Sequence, residues 1–339
     1  MTEESSNTSH LSVVITTNGI DKTQTTGGNI VAADDGVYWR VAVIFIGLVG
    51  TAGNALILYA LVVSKQHKKH MLIVNQNALD LFSSFFLILF IMLQLCNIYL
   101  EGVLGYWLCI TVLGENLIWW GTNGSMVNLA IITIDRYLMV VHAVWSRKWL
   151  KPWVIYSAMA FSWFSGTVFN TLIVVFSAEV VDGVCYTYLF EDPVSQMIGI
   201  LFYMAFFYVV ILVMFIFFYW RILVKIRNQA KVMASHGTGG SRTAQAQNQQ
   251  IQTNVIKTMV IVSAFYAISW LPYNFYSLFS SIRGIIPISF ADNAYFITSF
   301  IAFFYTSANP FIYATKFNPV KEVLKKMIPC KKTPTHATV

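Results

Sequence analysis

Apolar residues are concentrated in seven long stretches of this chain, and short polar connections separate the stretches. They cover about residues 38–64, 71–96, 108–141, 153–177, 196–227, 253–281 and 290–315. About 20 apolar residues in a helix are enough to cross a hydrocarbon core of roughly 30 Å. The pattern therefore predicts an all-α membrane protein, built as a bundle of seven transmembrane helices.

Composition favours this membrane bundle over a soluble helical protein. Hydrophobic residues make up 57% of the 339 residues and charged residues only 11%. Soluble domains of this size carry about 25% charged residues. The low charge content therefore disfavours the alternative, in which the seven stretches would be core helices of a soluble all-α protein.

Basic residues mark one side of the predicted membrane. With the N-terminus placed outside, all of the 22 Lys and Arg except Lys22, Arg40 and Arg283 fall on the cytoplasmic side. This is the positive-inside pattern, and it predicts a multi-pass plasma-membrane protein with an extracellular N-terminus. Because the basic residues are divided among four segments, the net charge of +7 does not indicate a nucleic-acid partner.

Most acidic residues fall on the outer side, where they form either a solvated surface or a field that attracts a cationic ligand. Asp80 and Glu115 instead fall at membrane depth.

The chain is predicted to have three parts. Residues 1–37 are polar and are expected to be a disordered extracellular N-terminus with a glycosylation sequon at Asn7. Residues 38–315 form the seven-helix domain. Residues 316–339 contain a short amphipathic eighth helix, expected to contact lipid at the inner leaflet, and Cys330, which is either palmitoylated or a free thiol.

The polar and Gln-rich segment 236–252, between the fifth and sixth stretches, is expected to be a short flexible cytoplasmic loop.

Polar motifs recur within the apolar stretches, where such residues usually mark function. In chain order they are Gly53-Asn54, Asn77-Ala78-Leu79-Asp80, Ser125, Asp135-Arg136-Tyr137, Trp163, Tyr219, Trp270-Leu271-Pro272 and Asn309-Pro310 with Tyr313. Their order and places resemble those of the rhodopsin-like (class A) G-protein-coupled receptors over about residues 38–330. The resemblance implies a receptor, not an enzyme, that activates a heterotrimeric G protein through helix rearrangement and has arrestin as a further partner.

The resemblance assigns a switch to the cytoplasmic ends of the helices. Arg136 is expected to pair with Asp135 at rest and to contact the G protein after release, while Tyr219 and Tyr313 turn inward. The residues expected to couple to the G protein are Asp135, Arg136, Tyr137, Val144, Tyr219 and Tyr313.

A second cluster is expected around Asp80, because a buried carboxylate is costly unless it is paired. Its expected neighbours are Asn54, Ser125 and Asn309. In the family this cluster holds a sodium ion that favours the inactive state, although Tyr305 stands here where an Asn is frequent. Two interpretations stay open, an allosteric sodium ion or a protonated Asp80 in a hydrated network. No other cofactor is predicted.

Cys109 and Cys185 both fall on the oxidising outer side, where a bridge would hold the outer loop across the mouth of the bundle. The residues expected to line a ligand pocket below it are Gln94, Glu115, Asn116, Trp270 and Asn274.

The ligand class is predicted by exclusion and by charge. By resemblance, Ile118 replaces the aspartate of amine receptors and Phe303 replaces the retinal lysine of opsins. Glu115, one turn higher than Ile118, is left as a residue that could substitute for that aspartate. The acidic outer face and an outer loop expected to be hairpin-like favour a peptide ligand and a receptor of the peptide type. A small-molecule or lipid ligand is the alternative. A secondary transporter is disfavoured because no internal repeat is found.

Several positions depart from the family's pattern. Ile211 stands in place of a proline, Tyr266 in place of Phe, and Gln252 in place of an acid that pairs with Arg136. The spacing from Cys109 to Arg136 is also two residues longer than usual, so an irregularity is expected near the outer end of the third helix.

Overall fold

The computed structural model describes residues 32–96, 98–187, 193–235, 242–282 and 293–327. The helices in these ranges are α1 (Ala32–Val63), α2 (Met71–Leu95), α3 (Gly102–Leu108), α4 (Asn116–Val141), α5 (Ala143–Trp149), α6 (Pro152–Ser177), α7 (Pro193–Met204), α8 (Ile211–Ser235), α9 (Arg242–Ile282), α10 (Asn293–Lys316) and α11 (Asn318–Met327).

Two π-helical turns lie within the predicted spanning segments. One, Cys109–Leu113, follows α3, and the other, Ala205–Val210, joins α7 to α8. The seven spanning segments are therefore α1, α2, α3 with α4, α6, α7 with α8, α9, and α10.

The segments pack as one bundle with α4 at its centre. This helix contacts α2, α6, α8 and α9, while α1 packs against α2 and α10, and α9 packs against α10. Large aromatic side chains such as Tyr266, Trp270 and Tyr305 are fully buried inside. Large apolar side chains such as Phe45, Phe164 and Ile216 cover the outside, as expected of a surface that faces lipid. The predicted fold class is confirmed.

By length and composition, six helical stretches among the described residues could cross a membrane. The seventh segment, α10, is not among them, because polar residues interrupt its sequence. Its polar side chains point into the bundle, since Ser299, Thr306, Ser307 and Asn309 are all buried. Contacts of these polar side chains with the other helices therefore help to hold α10 in the bundle.

The short eighth helix, α11, follows α10 after a break at Phe317. It is amphipathic, because Val320 is buried while Lys321 and Lys325 are exposed. It packs against α1 and α10.

The outer loop predicted to be hairpin-like forms two antiparallel strands, β1 (Glu179–Val181) and β2 (Val184–Tyr186). Asp182 and Gly183 make the turn with φ of 51° and 76°, as a tight hairpin turn requires. A Cβ at Gly183 would overlap the Tyr99 ring. Glycine is therefore needed there both for the backbone angle and for space.

The prediction of a flexible loop at 236–252 is wrong in part. The helix α9 begins at Arg242, so residues 242–252 are helical, and residues 236–241 lie outside the described part of the chain. The physical reason is composition, since Ala, Gln and Arg are good helix formers and the glycines end at Gly240.

Candidate functional site

The predicted functional residues lie at three levels of the bundle. We call the end with the Cys109–Cys185 bridge the disulfide end and the opposite end the Arg136 end. The polar core around Asp80 lies between them.

At the Arg136 end, the predicted resting pair is closed. Arg136 Nη2 lies 3.3 Å from Asp135 Oδ2, and both side chains are nearly buried. Arg136 Nε and Asp135 Oδ1 have no hydrogen-bond partner among the described residues. The pair is thus held by one ionic contact, and the guanidinium keeps donor capacity for another partner.

Tyr219 joins three segments at this end. Its hydroxyl lies 3.0 Å from both Thr133 Oγ1 and Ser263 Oγ. Tyr313 is also buried, but its hydroxyl has no hydrogen-bond partner among the described residues. Both tyrosines therefore already face the interior while the Arg136 pair is closed.

The other residues predicted to contact a G protein lie at the surface. Tyr137 pairs with His142 Nε2 at 3.2 Å. Val144, in the short helix α5, is 88% exposed. Such exposure leaves the valine free to contact a partner. The side chain of Gln252 lies outside the described part of the chain.

His70 sits beside this switch and packs edge-on against Phe317, with ring centroids 5.0 Å apart. Burial, together with the positive charges of Arg136 and Lys69, lowers the pKa of His70 to about 4. The imidazole is therefore neutral near pH 7, and it adds no positive charge next to Arg136.

The polar core brings together most of the predicted residues. Asp80 accepts hydrogen bonds from Ser125 Oγ at 2.6 Å and from Asn309 Nδ2 at 2.8 Å. Asn54 does not join them. Its amide instead donates to the carbonyls of Gly50 and Thr306, so it ties α1 to α10.

Gln76 is a member of the core that sequence reasoning missed. Its amide donates to Ser125 Oγ and, at 3.5 Å, to Asp80 Oδ2. Its own carbonyl accepts from Asn128 Nδ2 at 2.8 Å. Its position four residues before Asp80, on the same face of α2, was the available signal.

The hydrogen bonds continue from the core into the fourth segment. Asn75 Nδ2 donates to Asn128 Oδ1 and to Ser162 Oγ, and Trp163 Nε1 donates to Asn75 Oδ1. A chain of side-chain contacts thus runs from Asp80 through Gln76 and Asn128 to Trp163. It links α2, α4 and α6.

The residues around Asp80 fit a sodium ion by donor type. A carboxylate and a hydroxyl are oxygen ligands of the kind that hard cations prefer. Asn309 Oδ1 is buried without a hydrogen-bond partner among the described residues. The ion would be held by Asp80 and Ser125, but it would compete with the hydrogen-bond donors already on the carboxylate.

At the disulfide end, the predicted bridge is present. Cys109 and Cys185 are joined at an Sγ–Sγ distance of 2.00 Å, which ties the β-hairpin to the third segment. The π-helical turn Cys109–Leu113 begins at the same cysteine. Because a π-helical turn holds more residues than an α-helical one, it helps to absorb the two extra residues before Arg136.

Glu115 follows this irregular stretch and precedes α4. Its backbone is left-handed, with φ of 58°, a conformation that costs free energy in residues other than glycine. Its carboxylate accepts a hydrogen bond from Trp119 Nε1 at 3.0 Å. The irregular backbone therefore turns an acidic side chain toward the bundle.

Trp119 is the centre of an aromatic cluster. Its ring centroid lies 5.8 Å from those of Trp270, Tyr273 and Phe303 and 6.1 Å from that of Tyr203. These rings come from the fifth, sixth and seventh segments. The cluster therefore forms a floor below the disulfide end.

The remaining predicted pocket residues differ in placement. Asn116 is buried and bonded to Asn170 and Thr171 of α6, so it joins two helices. Asn274 donates to the Trp270 carbonyl, and Gln94 is half-buried near the end of α2. Of the five predicted residues, the structure brings Glu115 and Trp270 to the aromatic cluster.

The fifth and sixth segments are joined by two reciprocal hydrogen bonds. Tyr208 OH donates to the Ala267 carbonyl at 3.0 Å, and Tyr266 OH donates to the Phe207 carbonyl. Phe207 and Tyr208 lie in the π-helical turn just before Ile211. Ile211 and Tyr266, the two residues that depart from the family's pattern, therefore both lie at or next to this interface between the fifth and sixth segments.

The predicted glycosylation site Asn7 and the predicted palmitoylation site Cys330 lie outside the described residues. Both stay predictions.

The fold and the order of these residues define a seven-helix receptor. Residues 53–313 match the family described as 7 transmembrane receptor (rhodopsin family). The chain belongs to this family, so it is a multi-pass membrane receptor and not an enzyme.

Known relatives span several ligand classes. The chain is 24% identical over 293 residues to somatostatin receptor type 5 of Bos taurus, covering 84% of this chain and 74% of the relative. It is 24% identical over 233 residues to trace amine-associated receptor 8b of Rattus norvegicus, covering 63% and 64%. The crystal structure of squid rhodopsin has the same fold, with a TM-score of 0.71 and 19% identity over 89% of this chain and 87% of that chain.

Proposed function

We propose that this receptor lies in the plasma membrane with its N-terminus outside, binds an extracellular peptide at the disulfide end and activates a heterotrimeric G protein at the Arg136 end. Arrestin is proposed as a further cytoplasmic partner. The observation that carries the proposal is the closed Asp135–Arg136 pair, next to an interior Tyr219 and an exposed Val144.

The pair supports a switch because it is easily exchanged. One ionic contact of 3.3 Å holds the Arg136 guanidinium, and its Nε has no partner among the described residues. A guanidinium presents donors in a rigid fork that Lys or neutral residues do not reproduce. A G-protein segment that offers carbonyl or carboxylate acceptors would therefore compete for it.

A peptide ligand is supported by the shape and charge of the disulfide end. The β-hairpin is tied down at Cys185 and carries exposed Glu179 and Asp182. An ordered strand pair offers backbone groups to an extended peptide. The similarity to a somatostatin receptor agrees with this ligand class.

A small-molecule ligand is the second candidate, because the aromatic cluster around Trp119 lies below the hairpin and includes the fully buried Trp270. The relative described as a trace amine-associated receptor points the same way.

An allosteric sodium ion is proposed at Asp80 and Ser125. When bound, it would supply positive charge to a buried carboxylate. Because a ligand shifts an equilibrium only by its differential affinity, the ion would have to bind the resting state better to oppose activation. A protonated Asp80 in the hydrogen-bond network is the competing interpretation.

The switch is tested with Arg136→Ala in membranes from transfected cells that also contain a G protein. We expect nucleotide exchange on the G protein to be lost, with and without hits from a neuropeptide library. Surface abundance should stay the same, because the side chain makes one ion pair. Arg40→Ala, which removes an arginine from α1, serves as the matched control and should keep exchange. Full exchange by Arg136→Ala at equal surface abundance would refute the proposed role.

A further inference from the structure

We propose that Glu115 and the aromatic rings around Trp119 form a subsite for a positively charged group of the ligand, an ammonium or a guanidinium. The proposal rests on the proposed receptor function and specifies which ligand chemistry its pocket takes.

The first argument is the state of the Glu115 carboxylate. Trp119 is the one hydrogen-bond partner of this carboxylate among the described residues. No basic side chain among the described residues forms an ion pair with it, since the ion pair found there joins Arg136 to Asp135. A buried carboxylate that lacks a cation is costly. The side chain nevertheless keeps partial exposure, so a ligand can reach it. A cationic group would replace the missing partner.

The second argument is the aromatic surface that surrounds the acid. Trp119 links Glu115 to Tyr273 and Trp270, each with its ring centroid 5.8 Å from that of Trp119. A cation within about 6 Å of a ring centroid is attracted by the ring face, most strongly by Trp. The carboxylate and the rings therefore act on the same charged group.

A third observation comes from the polar edge of the same cluster. Trp270 Nε1 is buried without an acceptor among the described residues, and the residue as a whole is only 1% exposed. Buried donors are normally paired. An oxygen on the ligand next to its cationic group would satisfy it.

The position differs from that of the aspartate in amine receptors. Glu115 precedes α4 and takes a left-handed backbone conformation, while Ile118 lies within α4 and is buried. The π-helical turn before it and the Trp119 bond hold the acid in place. The subsite is therefore a feature of this chain's irregular third segment.

The test measures binding of small probes to the purified full-length receptor through its thermal midpoint. A ligand that binds the folded state raises the midpoint by an amount that grows with the logarithm of its concentration above its Kd, so the shift reports the Kd. Benzylamine is the cationic probe and benzyl alcohol its neutral counterpart. N-acetyl-phenylalanyl-lysine amide and its norleucine analogue make the same comparison for a peptide, so the two arms distinguish a free amine from a basic side chain.

We expect each cationic probe to raise the midpoint more than its neutral counterpart does. Glu115→Gln should raise the Kd of the cationic probe at least tenfold and leave that of the neutral probe unchanged. The Gln carbonyl still accepts from Trp119 Nε1, which preserves the local structure. Glu322→Gln, an exposed acid in α11, removes the same charge and should change neither value.

Equal shifts for cationic and neutral probes in the unmodified receptor, including no shift from either, would overturn the proposal. So would an unchanged cationic response in Glu115→Gln. Because the thermal midpoint reports binding without a G protein, a receptor that fails in nucleotide exchange but passes here would refute the proposed coupling and not the subsite.

Discussion

Tyr266 and Tyr208 restrain the fifth and sixth segments against each other, and removing one hydroxyl tests that restraint. Tyr266→Phe deletes the hydrogen bond to the Phe207 carbonyl and installs the residue usual in the family. The ring, which is fully buried, stays in place. The substitution therefore changes one polar contact with little change in packing volume.

The restraint is expected to favour the resting state because of where Pro272 lies. This proline interrupts the hydrogen bonding of α9 and allows the helix to bend there. Tyr266 and Ala267 lie on the Arg136 side of the bend. Movement of that part of α9 away from the π-helical turn of the fifth segment would break both tyrosine contacts, so the contacts oppose the movement.

The size of the effect follows from the two hydrogen bonds. One such bond contributes about 1 kcal/mol net, which changes a population roughly fivefold. Tyr208→Phe removes the second bond, at 3.0 Å to the Ala267 carbonyl. The double variant should lose about 2 kcal/mol, roughly a thirtyfold change if the two effects add.

The assay is ligand-independent nucleotide exchange on a G protein, measured in membranes at matched surface abundance. We expect each single variant to raise basal exchange and the double variant to raise it further. Tyr156→Phe, which removes a hydroxyl from an exposed side chain of α6, is the control and should have no effect. Unchanged or lower basal exchange in both single variants and the double variant would refute the reasoning.

Three further substitutions test other parts of the structure. Raising sodium at constant ionic strength should weaken agonist binding, and Asp80→Asn should remove that effect; equal indifference in both proteins would favour a protonated Asp80. Gln76→Leu should lower the thermal midpoint, because it leaves Asn128 Nδ2 with its hydrogen bond to the Leu72 carbonyl alone. The expected loss in the free energy of unfolding is about 1–3 kcal/mol, and an unchanged midpoint would contradict this. The free energy of unfolding should fall as pH decreases from 6.5 to about 4, because His70 takes up a proton there more readily when unfolded; His70→Gln should flatten that slope in thermal scans.

The sequence predicted the seven segments because long apolar runs have few other solutions in a membrane. It also predicted the contacts of Asp80 with Ser125 and Asn309, since the family's motif fixes their helices and levels. The predicted contact of Asn54 with Asp80 was wrong, because the depth of a residue in the bundle does not determine which group it hydrogen-bonds to. Its amide reaches backbone carbonyls before it reaches Asp80.

The irregular parts could not be predicted in detail. Hydropathy does not record whether a helix makes its hydrogen bonds four or five residues apart, so neither π-helical turn was predicted. The extra spacing before Arg136 indicated an irregularity but not its form. The contacts of Tyr208 and Tyr266 depend on the π-helical turn at Ala205–Val210. Because that turn was not predicted, the sequence alone gave no role to the Tyr that stands at 266 in place of the family's Phe.

The buried polar residues of α10 have a consequence for how the protein is made. A helix enters the bilayer unaided only when its apolar residues outweigh the cost of its polar ones. Ser307 and Asn309 hydrogen-bond to Ile46 of α1 and Asp80 of α2, which emerge first from the ribosome. The last segment should therefore wait at the translocon until the earlier helices have assembled.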